Sequence, residues 1–425
     1  MLQINYLRQN KEKAIKGLQK RHFPDAESKI EQAINLDDQR KKAQTALDNA
    51  LSLSKQYANE IGALMKEGKK EEANQKKDAV ATLKNETKQL QDGLIEVEKQ
   101  LNELLYLLPN IPHESVPEGK TPEDNEVVLE GGTVPTLSAE ALPHWELIKK
   151  YDLIDFELGN KITGAGFPVY KGKGAKLQRA LVQFFLDEAE KAGYLEIQPP
   201  IVINKDSGFG TGQLPDKEGQ MYYIPQDDLY LIPTAEVPIT NLYRDEIIEK
   251  TALPIRNVGY TPCFRREAGS WGAHVRGLNR LHQFDKVEIV QIQLPEKSYE
   301  TLLEMRNHVE KLLQKLQLPY RILRLCGGDM GFTSALTYDF EVFSAAQQRW
   351  LEVSSVSNFE TFQANRLKLR YREEDKKTTL LHTLNGSALA LPRIMAAILE
   401  NNQEEKGIVI PEVLHYYTQF TYIGG

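Results

Sequence analysis

Apolar residues, with an occasional Ser or Thr, recur at alternating spacings of three and four over much of the first quarter of the chain. They form two stripes, a weaker one before Gly68 and a sustained one after it. Their members are Ala43, Leu47, Ala50, Ser54, Tyr57, Ile61 and Leu64, and then Val80, Leu83, Thr87, Leu90, Leu94, Val97, Leu101, Leu104 and Leu108. This is the heptad pattern of coiled coils. Because Gly68 interrupts it, we predict an antiparallel helical hairpin over residues 1–108, with arms of roughly 60 Å.

The pattern changes after this region. Prolines and glycines cluster in residues 109–141, which indicates a linker. Residues 142–425 mix helical and strand patterns, and the predicted strands seldom alternate singly with helices. That order favours an antiparallel sheet over a doubly wound parallel one. We therefore expect an α+β domain in which an antiparallel sheet is flanked by helices.

Several shorter elements are predicted within this domain. They are a helix that ends at residue 193, a strand at 194–203 that is broken by Pro199 and Pro200 and thereby confined to a sheet edge or a subunit contact, a glycine loop at 209–215, a strand at 229–239 that runs into a turn, a helix at 297–316, strands at 338–343 and 349–355, and a strand, a small-residue turn (385–388) and a helix over 379–401.

Residues 261–288 concentrate charged side chains between two predicted strands. An arginine pair and a glutamate end the first strand, a connection with three glycines follows, and an alternating strand returns. The residues are Arg265, Arg266 and Glu267, then Gly269, Gly272 and Gly277, then Phe284 and Glu288. Arginine offers planar, bidentate donors to phosphate and carboxylate groups. The stretch suits a triphosphate with an attached polar substrate, although by itself it fits a charged surface hairpin equally well.

Composition limits the classes of function. The net charge is -7, and residues 1–108 hold 19 Lys and Arg against 17 Asp and Glu, so only local patches are available for a nucleic acid. Two cysteines, Cys263 and Cys326, are too few for a disulfide framework or a cysteine-rich zinc site. No apolar run reaches the roughly 18 residues of a membrane span, and the first residues lack an apolar signal segment. We expect a cytoplasmic protein with no membrane partner.

Three stretches, taken in order, resemble the motifs of class II aminoacyl-tRNA synthetases. Residues 193–200 are similar to motif 1, and residues 264–267 with Phe284 are similar to motif 2. The last predicted helix, with Arg393, is similar to motif 3. Motif 3 departs from the family pattern because Ala388, Ala390 and Pro392 replace some of its usual glycines, which concerns the loop geometry and not the arginine.

Three further stretches narrow the resemblance to the seryl-tRNA synthetases of bacterial type. They are FGTGQLP at 209–215, PTAEVP at 233–238 and EVSSVSN at 352–358. Together with the N-terminal hairpin, the resemblance covers essentially the whole chain. It implies a class II catalytic domain at 142–425, preceded by a tRNA-binding coiled-coil arm at 1–108.

The resemblance implies an ATP-dependent aminoacyl-tRNA ligase. The carboxylate of L-serine attacks the α-phosphate of ATP to give seryl-adenylate and pyrophosphate. Serine then passes to the 3′ end of serine tRNA, with selenocysteine tRNA as a further expected substrate. The implied partners are ATP, Mg²⁺, L-serine, the long variable arm of the tRNA and, through motif 1, a second copy of the chain in a homodimer. Such chemistry depends on positioning and charge neutralisation and needs no protein nucleophile.

The same resemblance implies roles for individual residues. Arg265 would hold the α-phosphate and the serine carboxylate, and Arg393 would neutralise the γ-phosphate on the opposite side; these are the catalytic residues. Serine would be bound by Thr234, Ala235, Glu236, Arg265, Glu288, Asn385 and Ser387. ATP would be bound by Arg265, Arg266, Glu267, Phe284, Glu352, Val353, Ser354, Ser355 and Arg393.

Three of these implied roles are more specific. Phe284 would stack on adenine, with Glu267 near the adenine amino group. Glu352 and Ser355 would supply the oxygen ligands that Mg²⁺ prefers. Glu236 and Glu288 would share the ammonium and hydroxyl groups of serine, and which carboxylate takes which group stays open.

Three alternatives remain at this point. The hairpin could serve dimerisation instead of RNA binding. The chain could be another class II enzyme, including a carrier-charging or a zinc-containing archaeal-type relative, or a scaffold with a degenerate synthetase domain. The long hairpin opposes a carrier-charging enzyme, and the Thr-Ala-Glu stretch and scarce cysteines oppose a zinc pocket. Arg265 and Arg393 oppose a degenerate domain.

Overall fold

The protein is described by a computed structural model over residues 1–216, 218–267 and 276–424. It divides into two compact units, residues 1–19 with 23–109 and residues 20–22 with 110–425. The helices are α1 (Ile4–Gln9), α2 (Lys11–Lys20), α3 (Ala26–Lys66), α4 (Lys70–Leu107), α5 (His144–Lys150), α6 (Phe156–Ile162), α7 (Gly172–Lys191), α8 (Lys205–Thr211), α9 (Glu236–Asn241), α10 (Ser298–Lys315), α11 (Thr361–Leu367), α12 (Leu391–Asn401) and α13 (His415–Thr418).

The strands all lie in the second unit. They are β1 (Glu126–Gly131), β2 (Ile154–Asp155), β3 (Val169–Tyr170), β4 (Leu195–Glu196), β5 (Val202–Asn204), β6 (Tyr223–Ile224), β7 (Leu229–Leu231), β8 (Ile247–Glu249), β9 (Ile255–Phe264), β10 (Gln283–Gln293), β11 (Tyr320–Arg324), β12 (Leu336–Ser344), β13 (Arg349–Asn358), β14 (Arg370–Arg372), β15 (Thr378–Leu380), β16 (His382–Ala390), β17 (Gln403–Glu404), β18 (Gly407–Val409) and β19 (Tyr422–Gly424).

Helices α3 and α4 form the predicted hairpin of the first unit. With 41 and 38 residues, each spans about 60 Å at roughly 1.5 Å per residue. Every member of the two apolar stripes is buried or partly buried, and Glu60 and Lys76 form an ion pair between the two helices. Gly68 lies in the connecting turn with φ +76°, a conformation that glycine adopts without strain. The helical arm predicted from the heptad spacing is confirmed.

An eight-stranded sheet forms the centre of the second unit. Its strand order is β1-β11-β12-β13-β16-β10-β9-β4. Neighbouring strands are antiparallel except at one edge, where the short β4 runs parallel to β9. The α+β class with an antiparallel sheet is therefore confirmed. The charged stretch at 261–288 supplies the neighbours β9 and β10, with Phe264 opposite Gln283. Gly269 and Gly272, predicted in the connection, lie outside the described residues.

Helices α7, α10 and α12 contribute side chains to one core with the sheet. Helix α7 buries its Leu177, Leu181, Phe184 and Phe185 stripe, and Gly193 follows it with φ +85°, as the predicted helix end requires. Every residue of α12 is buried except Arg393. A helix that is buried almost all round fixes its one less buried side chain firmly, which matters for the site described below.

Four short stretches differ from the predictions. Within the predicted linker, residues 126–131 form β1 and pair with β11 at the sheet edge. The predicted glycine loop at 209–215 contains the end of α8, which stops at Gly212. The strand predicted at 229–239 ends at residue 231, and α9 begins at residue 236. The predicted turn at 385–388 lies within β16. In the described ranges, no helix is long and apolar enough to cross a membrane.

Candidate active site

Strand β10 brings a buried pair of opposite charges to the centre of the sheet. Lys286 Nζ lies 2.6 Å from Glu288 Oε2, and both side chains are buried. Thr234 Oγ1 and Ser387 Oγ donate to the same carboxylate oxygen, at 3.3 and 3.5 Å. Three predicted serine-binding residues therefore meet around one carboxylate, although they come from the segment before α9, from β10 and from β16.

A second buried carboxylate belongs to Glu236, the first residue of α9. Its backbone N–H donates to Thr234 Oγ1 at 3.2 Å, and its Oε1 accepts a hydrogen bond from Gln363 Nε2 at 2.6 Å. Burial, followed by the negative charge of Glu288, raises the pKa of Glu236 to about 7. The pocket thus combines two carboxylates with one ammonium, and the pKa of Glu236 is shifted towards neutral pH.

The other two predicted serine-binding positions differ in what their side chains can do. Asn385 is buried on β16, and its amide acts on Glu236 by lowering the pKa of that carboxyl against the effect of burial. Ala235 packs in a fully buried cluster with Ile239 and Val290. Any contact of Ala235 with a substrate must therefore come from its main chain.

Arg265 follows β9 directly and connects the two parts of the site. Its guanidinium carbon lies 5.2 Å from the ring centroid of Phe284 on β10. Its Nε donates to the carbonyl of Pro233 at 3.4 Å, so it also contacts the segment that carries Thr234 and Glu236. A cation over an aromatic face at this distance is an attractive arrangement. The predicted catalytic arginine is thus held between the acidic pocket and the predicted adenine platform.

The two residues that follow Arg265 point to other partners. The backbone N–H of Arg266 donates to the carbonyl of Gln220 at 2.8 Å. The carboxylate of Glu267 forms an ion pair with Arg280, on the chain that returns to β10. Glu267 has φ +49°, an uncommon conformation for a residue with a side chain. This contact ties the two ends of the connection together near Phe284.

Arg393 is tied to two separate segments at the start of α12. Its Nε donates to the carbonyl of Asn279 at 3.0 Å, and its Nη1 donates to the carbonyl of Glu352 at 2.6 Å. These bonds engage two of the five donors of a guanidinium. The second predicted catalytic arginine is therefore oriented by β13 and by the chain that leads into β10.

The predicted nucleotide-binding residues 352–355 lie on β13 but differ in exposure. Glu352 is exposed, whereas Val353 is the extra residue of a bulge between β12 and β13 and its side chain is in the core. Ser354 is buried, and its Oγ donates to the carbonyl of Ser387 at 2.5 Å. Contacts of Val353 and Ser354 with ATP would have to come from main-chain atoms.

A third side chain with oxygen ligands, the carboxylate of Asp339, lies beside the predicted Mg²⁺ ligands Glu352 and Ser355. Asp339 of β12 lies opposite Ser355, and its Oδ1 is buried without a hydrogen-bond partner among the residues described. Burial, followed by the charge of Glu352, raises the pKa of Asp339 well above its usual range. Mg²⁺ is typically held by one or two carboxylates together with substrate phosphates, so this donor set fits the ion.

Comparison with known proteins decides the family. Two family models match, the seryl-tRNA synthetase N-terminal domain over residues 1–112 and the tRNA synthetase class II core domain (G, H, P, S and T) over residues 222–402. A serine–tRNA ligase of Salinibacter ruber is 52% identical over 397 residues, which cover 93% of each chain. The chain belongs to the seryl-tRNA synthetases.

Two more seryl-tRNA synthetases match over the full length. The serine–tRNA ligase of Chlorobaculum parvum is 45% identical over 432 residues, with 100% of both chains covered. The crystal structure of the seryl-tRNA synthetase from Pyrococcus horikoshii complexed with ATP superimposes with a TM-score of 0.92. The two sequences are 32% identical, and the match covers 100% of this chain and 99% of that one. The family resemblance inferred from the motifs is confirmed.

Two residues of this synthetase pocket were not among the predicted site residues. Lys286 could have been found, because it shares the strand face of Phe284 and Glu288 in the alternating pattern of β10. Gln363, the partner of Glu236, lies on α11 far along the chain, and no local sequence pattern singles it out. Asp339 likewise becomes a candidate only through the pairing of β12 with β13.

Proposed function

We propose that this seryl-tRNA synthetase forms seryl-adenylate in the pocket around Glu236 and Glu288 and then transfers serine to serine tRNA, with selenocysteine tRNA as a second acceptor. One observation carries the proposal. Two buried carboxylates lie among hydroxyl groups next to an arginine that contacts an aromatic ring. A small amino acid with a hydroxyl group and a nucleotide with an adenine ring would satisfy these groups together.

The acidic half of the pocket supports selection of serine. A carboxylate accepts the substrate hydroxyl strongly, and a site built on that hydrogen bond can reject an analogue without the hydroxyl by roughly 10⁴–10⁵-fold. Alanine is then excluded by its missing hydroxyl. Threonine carries one additional methyl and is excluded by size, a weaker filter of roughly 10–200-fold. Lys286 neutralises part of the acidic charge, which leaves a net negative pocket for the serine ammonium.

The arginines support the role of the site in adenylate formation. Arg265 contacts both Pro233 and Phe284, and from this position it would align the serine carboxylate with the α-phosphate while Phe284 stacks on adenine. Arg393 would bind the γ-phosphate, and Arg266 and Glu267 would line the nucleotide. Positioning and charge neutralisation of this kind supply most of the acceleration in phosphoryl chemistry.

Mg²⁺ would be held by Glu352 and Ser355, with Asp339 as the neighbouring carboxylate. When bound, the ion neutralises phosphate charge and orients the phosphate groups. The carboxylate of Glu352 on β13 also places negative charge beside Arg393, whose Nη1 lies 3.9 Å from Glu352 Oε2.

We further propose that the hairpin of α3 and α4 grips the long variable arm of the tRNA. Lysines near its tip, among them Lys66, Lys69 and Lys70, can approach phosphates, and recognition of an RNA helix depends mostly on shape and backbone. The exposed edge strand β4, with Leu195 64% exposed, supports the homodimer expected from motif 1. A cytoplasmic location remains a prediction.

The function is tested by serine-dependent exchange of pyrophosphate into ATP, measured with each of the proteinogenic amino acids in turn. We expect serine to give the fastest exchange, with alanine at least about 10⁴-fold less active because of the missing hydroxyl and threonine at least about tenfold less active because of its extra methyl. Exchange with a different amino acid, at the rate expected for serine, would assign the pocket to another class II activity.

Replacement of Glu288 tests the pocket itself. Glu288→Gln keeps the shape of the side chain but removes the charge that pairs with Lys286, so we expect serine-dependent exchange to be lost while ATP still binds. Glu288→Ala should have the same effect on exchange. Both variants leave the buried Lys286 ammonium without its charged partner, at a cost of up to about 3–5 kcal/mol, and the Ala variant should lose more because it keeps no side-chain oxygen that accepts a hydrogen bond from Nζ. Calorimetric titration with ATP is the control, and serine activation retained in both variants would remove Glu288 from the pocket.

A further inference from the structure

A buried polar network lies beneath the nucleotide side of the site, with Glu400 of α12 at its centre. Glu400 Oε1 accepts hydrogen bonds from the backbone N–H of His144 at 2.8 Å, from His144 Nδ1 at 2.6 Å and from Gln347 Nε2 at 2.8 Å. Its Oε2 accepts from Ser344 Oγ. Glu400, His144 and Ser344 are all fully buried. Burial alone would raise the pKa of Glu400, but the bonds from His144 and Ser344 outweigh it and lower the pKa.

The protonation of His144 follows from its second partner. The backbone N–H of Leu278 donates to His144 Nε2 at 2.8 Å, so Nε2 must be unprotonated. The proton of the neutral ring is therefore on Nδ1, which donates it to Glu400. A buried carboxylate thus fixes both the tautomer and the orientation of the ring, and the ring in turn holds one backbone N–H.

That backbone N–H belongs to the chain that returns from the connection into β10. Gly277 packs so closely on His144 that a Cβ atom there would lie 2.3 Å from Nε2, and its φ is +67°. Arg276 is held by the same helix α5, through Trp145 at 5.0 Å and Glu146 at 3.2 Å. The start of α5 therefore positions residues 276–278 by three independent contacts.

The network also reaches the predicted γ-phosphate arginine. Gln347 bonds to Glu400 through Nε2, and its Oε1 accepts from Asn279 Nδ2 at 3.1 Å. The carbonyl of Asn279 accepts from Arg393 Nε at 3.0 Å. Two routes therefore converge on Asn279, one through Gln347 and one through the neighbouring Leu278. Arg393 and Glu400 also lie on the same helix, two turns apart.

We propose that His144 and Glu400 are positioning residues for ATP: they hold residues 276–279 in place and, through the Asn279 carbonyl, set the orientation of Arg393. They touch no substrate themselves. The inference rests on the proposed role of Arg393 in binding ATP. The serine pocket is built on Glu236, Glu288 and Thr234, none of which belongs to the network. The network should therefore affect the binding of ATP and not the binding of serine.

His144→Phe tests the proposal, since it keeps an aromatic ring but removes both hydrogen bonds. Pyrophosphate exchange and calorimetry on the full-length protein are expected to show KM and Kd for ATP raised at least about tenfold, because misplacement of a binding group by an ångström costs up to roughly a hundredfold. KM for serine should change less than about twofold. Gln347→Leu, at a half-buried position, cuts one of the two routes and should raise the Kd for ATP by a smaller factor, with its melting temperature as the check on folding.

His382→Phe is the matched control. His382 is also buried and bonds through Nδ1 to a serine hydroxyl, Ser298 Oγ at 2.7 Å, but it has no bond to residues 276–279 or Arg393 in the described parts of the chain. We expect it to leave the Kd for ATP within about twofold of the wild type. Equal weakening of ATP binding by His144→Phe and His382→Phe, or equal losses for ATP and serine, would reduce the network to a structural role.

A double-mutant cycle with Arg393→Lys tests the route. If the network acts through the arginine, His144→Phe should change the Kd for ATP less than about twofold in the Arg393→Lys background, since coupled residues are not additive. A full tenfold change in that background overturns the proposal. If the proposed function were wrong, the wild-type protein itself would show no serine-dependent exchange. The Kd for ATP measured by calorimetry would still test the positioning role in that case.

Discussion

Single residues in the proposed serine pocket have properties that only their surroundings give them. Glu236 and Glu288 are both buried, yet Glu288 is paired with Lys286, whereas the pKa of Glu236 is raised to about 7 by burial and by its acidic neighbour. Two like charges in one low-dielectric site cannot both be fully ionised without a cation. The substrate ammonium is the cation that the free pocket still needs.

Serine binding should therefore release a proton. Because burial and Glu288 raise the pKa of Glu236 to about 7, part of these carboxyl groups is protonated at pH 7, and the serine ammonium favours the ionised form. We expect release of a fraction of a proton per site at that pH and weaker serine binding as the pH falls below 7. Calorimetry in buffers of different ionisation enthalpy measures the release.

Glu236→Gln is the matched variant for that experiment. It keeps the side-chain shape but cannot titrate, so its binding enthalpy should not depend on the buffer. A wild-type enthalpy that is equally independent of the buffer would show that Glu236 does not change its ionisation when serine binds.

At the scale of elements, the long periodic helices were predicted correctly, as were the strands that became β12 and β13, whereas the short helices α8 and α9 were missed. The heptad stripes of α3 and α4 and the amphipathic α7 and α10 each extend over many helical turns, so their periods are readable. Helices α8 and α9 have seven and six residues, which is less than two full turns. Pro238 in α9 suggests a turn, although a proline within the first helical turn is tolerated.

The turn predicted from the small residues at 385–388 was wrong for a related reason, since these residues lie within β16. Asn385, Gly386, Ser387 and Ala388 have the composition of a turn, but they lie in a strand whose neighbours leave little room. A Cβ atom on Gly386 would lie 2.9 Å from Val356 Cγ2 on the adjacent β13. Glycine there reflects close packing between strands. Such a reason depends on strand order, which the local sequence does not contain.

The base of the hairpin has an electrostatic feature of its own. Asp37 of α3 is fully buried and accepts bonds from Arg8, Arg40 and Lys41 at 2.8 to 2.9 Å. Burial would raise the pKa of Asp37, but the bonds from Lys41, Arg40 and Arg8 together outweigh it and lower the pKa to about 2. A lowered carboxyl pKa stabilises the fold above the pKa of the unfolded chain and loses this effect as the pH falls towards 2.

Asp37→Asn should destabilise this base by about 2 kcal/mol at neutral pH, and the loss should shrink as the pH approaches 2. Amide hydrogen exchange of residues 4–45 in the full-length protein measures the effect. Glu31→Gln is the control, because its ion pair with Lys11 is exposed and is worth less than about 1 kcal/mol. Equal protection in both variants would show that Asp37 contributes no more than a surface pair.

At the scale of the whole molecule, the two units separate two tasks. The residues proposed for adenylate formation all lie in the second unit, and the long hairpin lies in the first. Activation of serine should then be independent of the hairpin length, whereas tRNA charging should depend on it. The alternative, a hairpin that only supports folding or dimerisation, predicts that both activities change together.

A hairpin shortened by whole heptads in both helices distinguishes a role in tRNA binding from a role only in folding or dimerisation. Removal of residues 47–60 and 76–89 takes two heptads from each helix, so Ile61 replaces Leu47 in the stripe and the arm loses about 21 Å. We expect serine-dependent exchange within about twofold of the wild type and kcat/KM for tRNA charging reduced by at least about tenfold, because distant tRNA contacts are lost. Deletion of residues 30–105 should give the same separation more severely, and equal loss of both activities would contradict it.

Strand β10 fixes the distance between the two parts of the proposed site. It carries Phe284, Lys286 and Glu288 on one face, so the proposed adenine platform and the proposed serine carboxylate lie roughly 14 Å apart along one strand, at about 3.4 Å per residue. One residue inserted or deleted between Phe284 and Glu288 would turn the glutamate side chain to the opposite face of the sheet. If Phe284 and Glu288 bind the two substrates as proposed, relatives of this enzyme are free to exchange side chains along the strand or to lengthen the hairpin, but they must keep the number of residues between positions 284 and 288.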